Sequence, residues 1–136
     1  MIILQLTCLA TAIYFEAGNQ DYRGKLSVGN VIMNRVEDQR YPGSACEVVK
    51  QGEYHEFSTH PVKWRCQFTY WCDGKDEKAD DKDVMAHSWR AAVSAYYKVA
   101  DATGGATHYH SDKVNPFWAD VSRTTATIGN HIFYKL

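Results

Sequence analysis

Leu9-Ala10-Thr11-Ala12-Ile13-Tyr14-Phe15-Glu16-Ala17 reads as an apolar helix that ends in a carboxylate. Leu6, Leu9, Ile13 and Glu16 follow one another at spacings of three and four, so Glu16 lies at the edge of the stripe that must face a core. A carboxylate in that position is partly desolvated, which disfavours its charged form. The negative end of the helix dipole pushes the same way. A carboxylic acid so placed keeps its proton near neutral pH and can give it up to a leaving group. The competing reading is a solvated Glu just past the helix end.

Working outward, Met1 to Ala10 has the apolar character of a signal segment but no basic start, and it is too short to span a bilayer. The amphipathic pattern runs on through Ile13, so the stretch reads as the first helix; a product beginning at Met1 would carry no export signal of its own. The polar run Gly18 to Gly24 stops that helix. A second helix is expected from about Lys25 to Val36, with Val28, Ile32 and Val36 on one face and Val31 beside it. Arg35 either reaches back toward Glu16 or sits on the surface. Ser44, after the Tyr41-Pro42-Gly43 turn, can cap a short helix through Val49.

The stretch from Gln51 to Trp64 reads as a long loop, and Cys66 to Cys72 as an aromatic strand or extended segment before a turn at Asp73 to Asp76. The longest helix is expected to start at an Asp81 or Asp83 cap and run to about Ala100. Its buried stripe would be Met85, Trp89, Val93, Tyr96 and Val99 or Ala100. Ala106 to His110 looks extended. Thr124 to Ile128 and His131 to Tyr134, around Gly129-Asn130, read as a hairpin. Helices, a mixed middle and a closing hairpin imply an α+β fold with a small antiparallel sheet, and 136 residues without a linker or repeat suit a single domain over 1–136.

A net charge of −1 with no basic run gives nucleic acid no footing. Four Trp, nine Tyr and five Phe are enough both to fill a core and to line a groove that stacks on sugar rings. Cys8, Cys46, Cys66 and Cys72 match no zinc-finger spacing; they are either bridged or buried thiols, and bridging leaves three pairings open. His108, His110 and His131 offer three nitrogen ligands for a catalytic zinc, without a helical ligand pair to support them. No GxSxG elbow, phosphate loop or dinucleotide fingerprint is present. A glycosidase usually needs two carboxylates, and Asp21, Glu56 and Asp73 are second candidates without a supporting pattern. One acid suffices if it protonates the leaving oxygen and then takes a proton from a hydroxyl of the sugar itself.

Several stretches in order resemble the SleB-like cell wall hydrolases, the spore-cortex lytic enzyme family. They are Leu9 to Ala17, Val31-Ile32-Met33-Asn34-Arg35-Val36, Tyr41-Pro42 with Cys46-Glu47-Val48-Val49, and Cys66-Gln67-Phe68-Thr69 through Cys72-Asp73-Gly74. Thr103 to His110, Pro116-Phe117-Trp118 and Ile128 to Tyr134 follow. The resemblance implies a lysozyme-like, lytic-transglycosylase-like α+β domain that cuts peptidoglycan glycan strands between N-acetylmuramic acid and N-acetylglucosamine with a single acid. It implies Glu16 as the catalytic residue and Gln67, Phe68, His108, Tyr109 and Trp118 as cleft residues that hold substrate. That scheme calls for no metal or cofactor, no nucleic acid and no stable membrane insertion, and it suits a monomer. Some members carry an amidase label, for which the three histidines would be the metal set; a non-catalytic glycan-binding module is the other alternative. Where the family commonly continues with Arg-Gly-Glu after Glu-Ala, this chain has Gly18-Asn19-Gln20. A compact catalytic domain acting on the cell wall, periplasmic or extracellular, suits a phage endolysin that stays cytoplasmic until released, or the catalytic part of a secreted bacterial enzyme.

Overall fold

The structure, a computed structural model, describes residues 1–75 and 78–136. In chain order the elements are α1 (Ile2–Ala17), α2 (Tyr22–Val36), α3 (Ala45–Val49), β1 (Gly52–Tyr54) and β2 (Pro61–Cys66). A 3₁₀ turn (Thr69–Trp71), α4 (Lys82–Tyr96), β3 (His108–Ser111), a second 3₁₀ turn (Val121–Arg123), β4 (Thr124–Ile128) and β5 (His131–Tyr134) complete the chain. β1 and β2 pair antiparallel; β3, β5 and β4 form a separate antiparallel sheet in that order. The α+β class read from the sequence is the one observed.

α1 buries Leu6, Leu9, Ala10, Ala12, Ile13 and Ala17 against α2, α3 and α4. α2 starts at Tyr22, earlier than expected, because the Asp21 carboxylate accepts from the Gly24 N–H at 3.0 Å and caps it. Ser44 caps α3 as expected, in a reciprocal pair: its hydroxyl donates to Glu47 at 2.9 Å and accepts from the Glu47 N–H at 3.3 Å. Asp81 caps α4 through the Asp83 and Val84 amides. α4 ends at Tyr96, short of Ala100, and it is no longer than its neighbours.

The buried face of α4 is Ser88, Ala91, Ala92 and Ala95, not the larger stripe expected from periodicity. Met85, Trp89 and Tyr96 flank the core, whereas Val93 and Val99 are exposed. The reason is close approach. A Cβ at Gly29 of α2 would lie 3.0 Å from the Ala95 Cβ and 3.1 Å from Ile13 Cδ1. Small residues therefore face each other where the three helices meet, and the bulky ones are pushed to the edges.

α2 is buried along most of its length and carries the polar groups that hold the segment leading into β3. Asn30 donates to the Ala100 carbonyl at 2.8 Å and accepts from the Ala102 N–H at 2.9 Å. Asn34 donates to the Ala106 carbonyl at 2.9 Å. Lys25, also buried, donates to the carbonyls of Gly18, the C-cap of α1, and of Gln20 in the turn that follows. The closing hairpin turns at Gly129, whose φ of +58° suits a primed turn. Gln20 ties it back to the α1–α2 turn through Asn130 at 2.9 Å.

Two expectations are corrected in the middle of the chain. The stretch 51–64 is no simple loop: β1 and most of β2 lie in it as a hairpin. Cys66 to Cys72 is a strand end running into a 3₁₀ turn. The four cysteines form two disulfides, Cys8–Cys46 and Cys66–Cys72. The first joins α1 to α3; the second closes the short loop after β2. Asp76, the last residue of the expected turn after Cys72, lies outside the described residues.

Candidate active site

One cleft of about 280 Å³ gathers all six candidate residues. Glu16, Gln67, Phe68, His108, Tyr109 and Trp118 line it, together with Arg35, Cys66 and Thr69.

Glu16 stands in the last turn of α1. Burial pushes its carboxyl from 4.5 up to about 7. The end of α1 is held on both sides. The Phe15 ring stacks on Tyr70 of the 3₁₀ turn with centroids 5.1 Å apart, and the Tyr14 hydroxyl accepts from the Asp81 N–H at the start of α4. Gly18, where the resemblance places an Arg, leaves no room for a side chain without movement, since a Cβ there would lie 2.4 Å from the Tyr14 carbonyl.

Arg35 is no surface residue. It is 5% exposed, at the base of the cleft. Its Nε donates to the Thr107 carbonyl at 2.7 Å and its Nη1 to Gln67 Oε1 at 3.2 Å. The guanidinium lies 5.0 Å from the Tyr41 ring centroid and 5.7 Å from that of Phe68. Burial lowers its pKa, and the nearby Tyr41 and Tyr109 oppose that shift. One side chain from α2 thus fixes both walls, the Gln67 turn on one side and the approach to β3 on the other. Because a guanidinium only donates, it sets the Gln67 amide with Oε1 inward and leaves Nε2 as a donor.

β3 supplies the opposite wall. The Nδ1 of His108 shares a hydrogen bond with the Thr107 hydroxyl at 3.0 Å, and its ring lies 5.1 Å from Trp118. Burial, then the charges of Arg35 and Arg40, hold its pKa down to about 4, so the imidazole is neutral at neutral pH. Tyr109 packs on His131 and Phe133 with centroids 5.0 and 5.5 Å away. Burial, then the nearby Glu16 charge, raises its phenol well above the usual range.

The three histidines do not assemble. His110 shares hydrogen bonds with the Ser111 carbonyl and the Tyr134 hydroxyl, both at 2.7 Å. His108 and His110 both approach Trp118 on one face of the sheet. His131 pairs across from Ser111 and meets Tyr109, on the other face. Among the described residues no group of three or more His, Cys, Asp or Glu is placed to hold a metal ion. Of the second-carboxylate candidates, Asp21 is the α2 cap and neither Glu56 nor Asp73 lines the cleft. Sequence reasoning missed Thr69 and the cleft-facing Cys66, and it left Arg35 open. The one signal for Arg35 was a cation in the last turn of α2 close behind the apolar run Val31-Ile32-Met33.

Residues 19–134 match the family model described as cell wall hydrolase. The match starts just past Glu16. The spore cortex-lytic enzyme of Halalkalibacterium halodurans is 29% identical over 126 residues, covering 92% of this chain and 33% of that protein. The chain therefore spans about a third of that relative's length. The catalytic domain of the Bacillus cereus SleB protein is similar in structure, with a TM-score of 0.70, 25% identity, and coverage of 96% of this chain and 89% of that one. The catalytic domain of the germination-specific lytic transglycosylase SleB from Bacillus anthracis also has a TM-score of 0.70, with 26% identity, 96% of this chain and 93% of that one covered. Both matches extend over nearly the whole lysozyme-like α+β fold.

Proposed function

The chain belongs to the cell wall hydrolase family, and from that premise we propose that it degrades peptidoglycan by cutting the glycan strand between N-acetylmuramic acid and N-acetylglucosamine. The observation that carries this reading is electrostatic. Among the described residues lining the cleft Glu16 is the one carboxylate, and burial keeps it protonated up to about pH 7. That favours a single-acid lytic transglycosylase over a two-carboxylate hydrolase.

Glu16 donates its proton to the glycosidic oxygen as the C1–O bond of the muramic residue breaks. Positive charge develops at C1. The Glu16 carboxylate then takes the proton of the C6 hydroxyl, and O6 closes on C1 as a 1,6-anhydro ring. The leaving sugar keeps the first proton as a hydroxyl, and Glu16 ends protonated, ready for another turnover. Gln67 donates to a substrate acetamide or hydroxyl, Trp118 packs on a pyranose face, and neutral His108 with Tyr109 hydrogen-bonds the sugar. Phe68, only 2% exposed and expected from the sequence to hold substrate, instead backs the cleft wall from the core. Residues 1–136 act as a single monomeric catalytic domain. Among the described residues no helix is long and apolar enough to cross a membrane, and the reading places the enzyme at the cell wall, reached by release as a phage endolysin or by secretion.

The test is mass spectrometry of purified peptidoglycan digested by the protein. Anhydro-muramic ends are expected. Reducing muramic ends would replace the C6 hydroxyl by water, and free stem peptides would overturn the glycan-strand reading in favour of amidase chemistry.

A further inference from the structure

The β1–β2 hairpin is the part of the molecule that the proposed chemistry does not use, and it is rich in uncovered aromatic surface. Phe57 is fully exposed and Trp64 is 57% exposed. Both hold positive φ, +57° and +65°, in which a bulky side chain is strained. Strain and uncovered rings that survive together in one short element point to use rather than packing.

The hairpin is continuous with the cleft. At its root β1 and β2 are pressed together: a Cβ at Gly52 would lie 2.6 Å from the Arg65 carbonyl. Gly52 pairs with Cys66, which lines the cleft, and the Cys66–Cys72 disulfide brings the 3₁₀ turn alongside. Between Gly52 and Tyr54 the register with β2 shifts, and Glu53 meets Arg65 at 3.8 Å. Tyr54 in turn meets Trp71. The indole Nε1 donates to the Tyr54 hydroxyl at 2.9 Å, and that hydroxyl donates to the Lys50 carbonyl. The Lys50 ammonium sits over the Trp71 ring, 5.1 Å from its centroid. The polar atoms of both rings are thereby satisfied within the protein. What remains for a ligand is the apolar surface of Tyr54, 37% exposed, beside a half-buried Trp71 with Lys50 over its ring, held in place before anything binds.

We infer that the Tyr54–Trp71 pair is a sugar-stacking subsite for the portion of an N-acetylated glycan strand that leaves the Glu16 cleft. Two features suit that occupant. A polymer bound across its scissile bond must extend out of a cleft this small, and pyranose faces stack on preorganised aromatic rings at little entropic cost. The Lys50 ammonium over the Trp71 ring suits the carboxylate of a stem peptide.

The inference rests on the glycan-strand reading, and the experiment separates the two. In a Glu16→Gln background, which keeps substrate uncut, soluble glycan fragments of increasing length are titrated by calorimetry. Affinity is expected to rise with length. Tyr54→Ala should weaken binding of the long fragments about tenfold while Tyr54→Phe, which loses the hydroxyl but keeps the ring, retains most of the gain. An unchanged length dependence in Tyr54→Ala, with anhydro ends still produced by the native protein, overturns the subsite alone. Equal losses in the Ala and Phe variants overturn stacking as its basis. A native protein that neither binds nor cuts glycan overturns the subsite together with the reading beneath it. Vesicle binding that depends on Tyr54 while glycan binding does not would assign the rings to a lipid surface instead.

Discussion

The two sides of the cleft are built by different means. Glu16 and Arg35 stand on α1 and α2, whose places are set by interlocked helix packing around Gly29, Ile13 and Ala95. Gln67, Phe68 and Thr69 stand on a turn that Phe68 roots in the core and that a disulfide, a guanidinium and the stacking of Tyr70 on Phe15 order. The group proposed to react sits where position is hardest to disturb, and the groups proposed to grip substrate sit where a few discrete ties set the geometry.

The harshest challenge to that contrast is Glu16→Gln. Turnover should fall on the order of a thousandfold with an unchanged far-UV circular dichroism spectrum, and appreciable residual cutting would move the chemistry off the helical side. Next are the disulfides. Replacing Cys8 and Cys46 by Ser opens a sequence separation of 38 and should cost about 4 kcal/mol in denaturant unfolding, with KM little altered. Replacing Cys66 and Cys72 opens a separation of 6 and should cost only about 2 kcal/mol, yet raise KM. The reverse pattern would show that the two sides are not separable.

A third probe is pH. The Glu16 carboxyl is raised in the folded protein, so the folded state holds its proton more tightly than the unfolded chain. The stability this contributes is complete below about 4.5 and is lost as pH rises to about 7, by ~3 kcal/mol. The difference in unfolding free energy between the native protein and Glu16→Gln should trace that window and flatten above it. Over the same range kcat/KM should decline above about pH 7, while His108, held to about 4, contributes no neutral limb. The smallest effect is expected at Gln67→Ala. Losing one hydrogen bond to Arg35 and one donor to substrate should lower kcat/KM about fivefold, a change of about 1 kcal/mol.

The same contrast explains what could be read in advance. Glu16 was legible because helical spacing alone puts it beside Ile13 and Leu9. The Ser44 cap and the Gly129-Asn130 hairpin were legible because each is a local bargain between neighbours in the chain. The α4 stripe was misread because periodicity favoured the large residues, and only the approach of Gly29 from another helix shows that Ala91, Ala92 and Ala95 face inward. The buried state of Arg35 was hidden because its partners, Thr107 and Gln67, are distant in sequence. The β1–β2 hairpin looked like a loop because its defining features, a close contact at Gly52 and positive φ at Phe57 and Trp64, leave no hydrophobic alternation to read.

Cys66 both lines the cleft and closes the Cys66–Cys72 bridge. The oxidation state of the buffer therefore acts on the substrate-facing surface itself. Dithiothreitol added to preserve a preparation becomes a variable of the assay, and two laboratories that differ only in reductant would be measuring different cleft walls around the same acid.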